Sequence, residues 1–305
     1  ILSQGNDFID AGGVINQAVT VSGAANIVNS GGNSQYLVTG AAQLTSTGMD
    51  HLVVAAGGAA TVTSSQGIFL NESGGTVSYA DPGRGIHASL SGGAASLTQS
   101  SSKSNAQIVT SAATNIHLDG GAVSVASNAA DSVYGGAGSA TVSVNAANTM
   151  VQGGSGSLQM MVGWTLAGER FVGGSGTASV TNYGSLAVQA GAGNLTLVGA
   201  AGAATLSGGS GNAVANLQAG AATIVDGAGS LSVTVGGAMS PVDFRFLAGH
   251  GGGSEVISGF RAGKDLFDLQ GVSIAQQSIS GGGTQVLLSD GTNVSLQGVA
   301  ITLHA

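Results

Sequence analysis

The sequence predicts an all-β fold, a parallel β-solenoid of about 18 residues per coil with a small C-terminal β cap. Three observations predict it. Glycines recur every nine residues, at 184, 193, 202, 211, 220 and 229, without a slip. Apolar residues follow two and four places after each, as Leu186/Val188, Leu195/Leu197, Ala204/Leu206, Ala213/Ala215, Ala222/Ile224 and Leu231/Val233. The composition suits a structure with a thin core: 55 glycines and 43% hydrophobic residues, against 7% charged, 4% aromatic and two prolines in 305 residues.

Each nine-residue unit reads as a short strand and a tight turn. The residues between the apolar pairs, Ala187, Thr196, Thr205, Val214, Thr223 and Ser232, are mostly small and β-compatible, so the unit alternates in, out, in, as a strand does. Glycine then lets the chain turn where a side chain would clash. One such unit cannot bury its apolar face alone and must stack on copies of itself. Two units make one coil, with a strand on each of two parallel sheets, and Ala and Leu suit the narrow space between them.

Upstream, Gly138, Gly156 and Gly176 open GSATV, GSLQM and GTASV, the first two 18 residues apart and the last two 20. The extra residues lie in GWTLAGERF, which is expected to bulge from a turn. It carries Trp164, read either as an exposed anchor for a sugar or a partner or as a ring buried against the next turn, and Glu169 with Arg170, read as a solvated pair. Further toward the amino end the spacing blurs, as in GAANI, GMDHL and GGTVSY, and is interrupted around ADPGRGIHA and TQSSSKSNAQ. The solenoid is expected to span residues 1–241 in about 13 coils, followed by the cap at 242–305.

Fourteen acidic against six basic residues give a net charge of −8 without a basic stripe, so nucleic acid is not an expected partner. With no cysteine there are no disulfides, thiolate metal sites or cysteine nucleophiles, which fits an exported protein. No apolar run is long enough to span a bilayer, and no basic segment followed by an apolar one opens the chain. Its start at Ile1 suggests a processed product or a piece of a longer chain. No enzyme activity is expected, because His51, His87, His117, His250 and His304 have no companion carboxylate at a repeated offset and read as turn or surface residues. The Thr/Ser row at 196, 205, 223 and 232, broken by Ala187 and Val214, raises ice binding as a minor alternative.

The stretches GGAGSATVS, GGSGSLQMM and GGSGTASVT resemble the G-G-x-G-x-D-x-U-x nonapeptide of RTX calcium β-rolls. That resemblance implies a β-roll-like fold, with an aspartate at the sixth position ligating Ca²⁺ between coils. Here the sixth position holds Ala140, Leu158, Ala178, Leu186, Leu195, Ala204, Ala213, Ala222 and Leu231, so core has replaced the calcium ligands. Aspartate keeps the position at Asp7, Asp50 and Asp131, but the places about 18 residues away hold Ala25, Ile68, Ala113 and Thr149. No cofactor is therefore required. The resemblance still allows a vestigial Ca²⁺ site at Asp7, or at Asp265 and Asp268 in GKDLFDLQG.

The carboxyl end, GGGSEVISGFRAGKDLFDLQGVSI followed by GGGTQVLLSDGTNVSLQGVAI, resembles the terminal module of type I-secreted RTX proteins, with Glu255 for the first aspartate of that pattern and Asp265 and Asp268 retained. The resemblance implies a bacterial chain secreted to the exterior or the cell surface, capped by residues 242–305, which carry an uncleaved export signal. The amino-terminal half is similar in composition to autotransporter passenger adhesins. The expected function is structural: a filament, surface layer or biofilm-matrix scaffold whose main partner is itself, stacked head to tail. The alternative is a non-polymerising adhesin stalk that binds cells or matrix polysaccharide, with a carbohydrate-active β-helix enzyme third.

Overall fold

The structure is a computed structural model describing residues 1–13, 16–81, 86–92, 94–99, 105–118, 120–236 and 240–303. It is an all-β parallel solenoid of about 12 turns with roughly 18 residues per coil, and none of the described residues is helical. The centres of the expected interruptions, 82–85 and 100–104, fall outside the described residues, as does His304. The chain forms two compact units, Ile1–Val151 and Gln152–Ala305.

In the first unit, strands alternate between two parallel sheets. On one, Ala18–Val21, Gln35–Val38, Asp50–Ala55, Ile68–Ser73 and Ile86–Leu90 follow in order. On the other, Asn6–Asp10, Ala24–Asn29, Ala41–Ser46, Ala59–Ser64, Thr76–Asp81 and Ala94–Gln99 do the same. Alternation along each strand sends one set of side chains into the thin core, including the fully buried Ile27, Leu52, Val62, Ile68 and Leu97. Burial of each such side chain contributes about 1.5–3 kcal/mol. Tyr36 and Tyr79 are buried among them, and burial pushes the Tyr36 phenol up to about 12.

The second unit repeats the plan with the register predicted from its glycines. Ser157 stands beside Thr177, twenty residues on, and Asn194, Asn212 and Ser230 follow at close to 18. Leu186, Ala204, Ala222 and Val242 form the matching column on the opposite sheet. All twelve apolar positions of the nine-residue pattern, from Leu186 to Val233, are buried.

The clock itself turns out to be two interleaved columns, because consecutive glycines lie on opposite sides of the coil and each stacks on the glycine two units back. A Cβ on Gly193 would stand 1.8 Å from the Gly176 carbonyl oxygen, one on Gly211 2.1 Å from that of Gly193, and one on Gly229 2.0 Å from that of Gly211. On the other side, a Cβ on Gly202 would meet the Gly184 carbonyl at 1.4 Å. Backbone packs directly on backbone there, and any side chain would force the coils apart. Of the six, Gly220 alone has a left-handed φ, of +85°, so close approach sets the period more than turn conformation does.

Parallel pairing continues past residue 241. Val242–Leu247 lies against Ala222–Val225 and against Leu266–Gln270, and Ser254–Ser258 lies against Ser230–Val235. The expected boundary at 241/242 thus falls within the stack, and the antiparallel part begins later. Ile274–Ser280 pairs with Gly283–Leu288, which pairs with Asn293–Gln297, and that last strand returns parallel to Ser254–Ser258. These antiparallel strands fit a cap.

Substituting Gly202 or Gly193 by Ala should therefore destabilise the protein by at least about 1–3 kcal/mol through overpacking, measured as the shift in denaturant midpoint. Gly5, where an added Cβ would meet nothing within 4 Å, should tolerate Ala to within about 0.5 kcal/mol.

Candidate functional site

The aspartates read as vestigial cation ligands, Asp7 in the first unit and Asp265 with Asp268 in the second, each have protein partners. Asp7 is exposed and accepts a 2.6 Å hydrogen bond from the Ser3 hydroxyl. Asp265 is buried, and its carboxylate is occupied by Arg261, at 2.6 Å from Nη2 and 3.0 Å from Nε, and by the Val242 and Arg261 amides at 3.0 and 2.7 Å. Burial, the largest single influence, would raise its pKa, but the Arg261 side chain and the Val242 and Arg261 amides together hold the carboxyl below its usual range. Asp268 accepts from Gln270 at 2.6 Å and lies 4.0 Å from the Arg245 Nε. Among the described residues no group of three or more His, Cys, Asp or Glu is placed to hold a metal ion.

Asp50 and Asp131 show how the corners satisfy buried carboxylates. Asp50 is fully buried and accepts from the preceding coil and from its own corner: the Asn29 amide at 3.0 and 2.9 Å, the Ser34 backbone at 2.9 Å, and the Ser46 hydroxyl. Asp131 accepts from the Thr110 hydroxyl at 2.5 Å, the Ser127 hydroxyl at 2.6 Å and the Thr114 amide at 2.8 Å. Burial raises the Asp131 pKa, and the Ser127, Thr110 and Thr114 donors oppose that rise. Hydroxyl and amide donors from the same corner and from the preceding coil satisfy these carboxylates through charge-assisted bonds. Thr149, the residue about one coil on from Asp131, is itself buried and bonds the Ala129 carbonyl at 3.0 Å.

Further buried carboxylates escaped the sequence reading. Glu72 continues the inward set Ile68, Leu70 on its strand, and its Oε1 accepts the Gly74 amide at 2.5 Å. Strict alternation along IFLNES carries the signal for that burial. Glu169 corrects the expectation of a solvated pair: it is 1% exposed while Arg170, the next residue of strand Glu169–Val172, is exposed and reaches Gln189 at 3.4 Å. Neighbours on a strand face opposite ways. In the second unit Asp226 and Glu255, 2% and 3% exposed, line one small cavity. Burial first, and Asp226 second, push Glu255 up to about 8, against the Gly227 backbone bond.

Among the described residues, the histidines of the outer faces lie in aromatic stacks or on turns. His51 and His87 flank Phe69 in a stacked ladder with ring centroids 4.7 and 5.2 Å apart, and His117 stacks on Tyr134 at 4.6 Å. All three histidines and His250 are exposed, as expected. Trp164 is 65% exposed in the predicted bulge and stacks on Tyr183 at 4.7 Å, so the exposed reading is the right one. The Thr/Ser row divides between sheets: Thr205 pairs with Thr223 on one, while Thr196, Val214 and Ser232 share the other. No continuous threonine ladder results. One shallow groove of about 750 Å³ lies on the first unit, floored by Ala24, Ala41 and Ala59 and edged by Asn26, Gln43, Thr61 and the 69%-exposed Phe8.

Comparison with protein-family models, with curated proteins and with solved structures returns no match.

Removing both hydroxyl donors to Asp131 Oδ2 in a Thr110→Val/Ser127→Ala variant should cost about 1–3 kcal/mol, read from chemical denaturation. Excess EDTA should leave the wild-type melting temperature unchanged in the same buffer.

Proposed function

We propose that the chain is a structural module: a β-solenoid of a secreted bacterial scaffold, such as a filament, surface layer or biofilm matrix, that associates with copies of itself. The observation that carries this reading is the protein-satisfied coil corner. Asp50 and Asp131 obtain their hydrogen bonds from their own corner and from the preceding coil, which supports a stack held by the chain's own groups, as a permanent scaffold requires. The resemblance of the glycine nonapeptides and the carboxyl-terminal segment to type I-secreted RTX proteins supports the extracellular, bacterial part of the reading.

Self-association has a physical basis in exposed apolar side chains. Strand Asn6–Asp10 pairs with Ala24–Asn29, and its Phe8 is exposed, as is Leu2. Exposed apolar side chains of this kind are places where a second copy of the chain can pack. Few surface charges oppose such contact.

A second reading, the adhesin stalk, is favoured by the groove beside Phe8 and by the Trp164–Tyr183 stack, because exposed aromatics with neighbouring amides and hydroxyls suit the apolar faces and hydroxyls of sugars. Negative-stain microscopy and sedimentation velocity separate the two. The scaffold reading expects fibres or higher-order assemblies that grow with concentration and are cut at least about tenfold in association constant, roughly 1.4 kcal/mol, by Phe8→Lys. Particles that stay monomeric at high concentration while binding a polysaccharide would replace it with the stalk.

A further inference from the structure

The carboxylates of Asp226 and Glu255 meet at the point where the parallel coils hand over to the antiparallel strands. Glu255 sits on Ser254–Ser258, between the coil strand Ser230–Val235 and the returning strand Asn293–Gln297. Asp226 ends the strand Ala222–Val225 on the opposite sheet, and its Oδ1 accepts the Leu247 amide at 3.1 Å. Both side chains are more than nine-tenths buried, and Asp226 Oδ2 and Glu255 Oε1 each lack a hydrogen-bond partner.

The cavity they share decides what could satisfy them. It measures about 10 Å³ and is otherwise lined by the apolar Ile224, Leu231, Val233, Phe244, Phe246 and Ile257, with Arg245 at its wall. That is at the lower limit for one water, about 10–15 Å³, and Ca²⁺ needs about six to eight oxygen ligands. A proton fits where neither an ion nor a hydration shell does. The surrounding charges do not neutralise the pair: Arg245 is turned outward to Asp243 at 2.6 Å, and Asp290 adds a third negative charge beside Asp226, opposed by His250 on the exposed turn. The flanking strands Ser230–Val235 and Asn293–Gln297 contain no charged residue.

We propose that Asp226 and Glu255 hold one proton between them and form an acid latch, which keeps the antiparallel strands locked on the last parallel coil until that proton is lost. Loss of the proton leaves two anions in one apolar cavity, and the strain is relieved by opening at Asn293–Gln297. The sign follows from the folded carboxyl titrating above its unfolded value of 4.5, at about 8. Its stabilising contribution is complete below the unfolded pKa and is lost as pH rises through the folded one.

Amide hydrogen exchange on the intact chain, from about pH 6 to about pH 9 in EDTA and corrected for intrinsic rates, tests this. Protection of the Asn293–Gln297 and Gly283–Leu288 amides should fall by up to about tenfold per pH unit approaching pH 8, while Asn194–Gly199 stays flat. Glu255→Gln should abolish the dependence, and Asp226→Asn, which removes the neighbouring anion and serves if the first variant does not fold, should move its midpoint to lower pH. Flat protection in the wild type overturns the latch. So does restoration of protection at about pH 9 by millimolar Ca²⁺ alone, which would make the pair a cation site.

Discussion

Backbone packed on backbone is the constraint from which the rest follows. At the corners the carbonyl of one glycine occupies the space that a Cβ of the glycine one coil later would need, as for Gly184 against Gly202 and Gly193 against Gly211. Coils this close hold their strands in one register, so each inward position stacks on its equivalent, Leu186 on Ala204 on Ala222. The core can then be thin and built of Ala, Val and Leu, because its width is set by the corners and not by large side chains. The same register brings polar residues of neighbouring coils to fixed spacing, and Asp50 and Asp131 find their donors there.

That last step is how the corners satisfy their buried acids. A buried carboxylate must be compensated, and calcium between coils is one way. Here serine, threonine and asparagine do it, with Ser46 and Asn29 on Asp50 and Ser127 and Thr110 on Asp131. Ser46 and Ser127 serve the aspartate four residues on at their own corner, while Asn29 and Thr110 reach one from the preceding coil, so the compensation is built into the repeat.

The fold was legible because period and alternation are both local signals: the glycine interval located the corners, and Leu195/Leu197 or Leu231/Val233 located the core. What was not legible depended on which units become neighbours. The nine-residue row Thr196, Thr205, Thr223, Ser232 dissolves because successive units belong to different sheets, so lateral neighbours lie about 18 residues apart. Glu169 was misread because its charge was weighed above its place in the alternation of GERFV, which puts it and Phe171 inside. Asp226 and Glu255 share a cavity across an irregular step, since Ser230 pairs with Ser254 and not with a residue 18 further on. Nothing in the spacing announces that meeting.

The two kinds of buried carboxylate divide the molecule physically. Where the repeat is regular, the same corner and the preceding coil offer hydroxyl and amide donors, and Asp50 and Asp131 are held by them. Where the repeat breaks, at the step from Ser230 to Ser254, the cavity is lined mainly by apolar side chains such as Leu231, Phe244 and Phe246, Arg245 is bonded to Asp243, and Asp226 Oδ2 and Glu255 Oε1 find no donor. A carboxyl in that setting is tolerated in its neutral form, because desolvation penalises the anion and the adjacent acid adds to the penalty. Regular coils should therefore be indifferent to pH near neutrality, while the last coil and the strands that cover it respond to it. The irregularity that lets the chain leave the solenoid is the same feature that places its most perturbed carboxyl there.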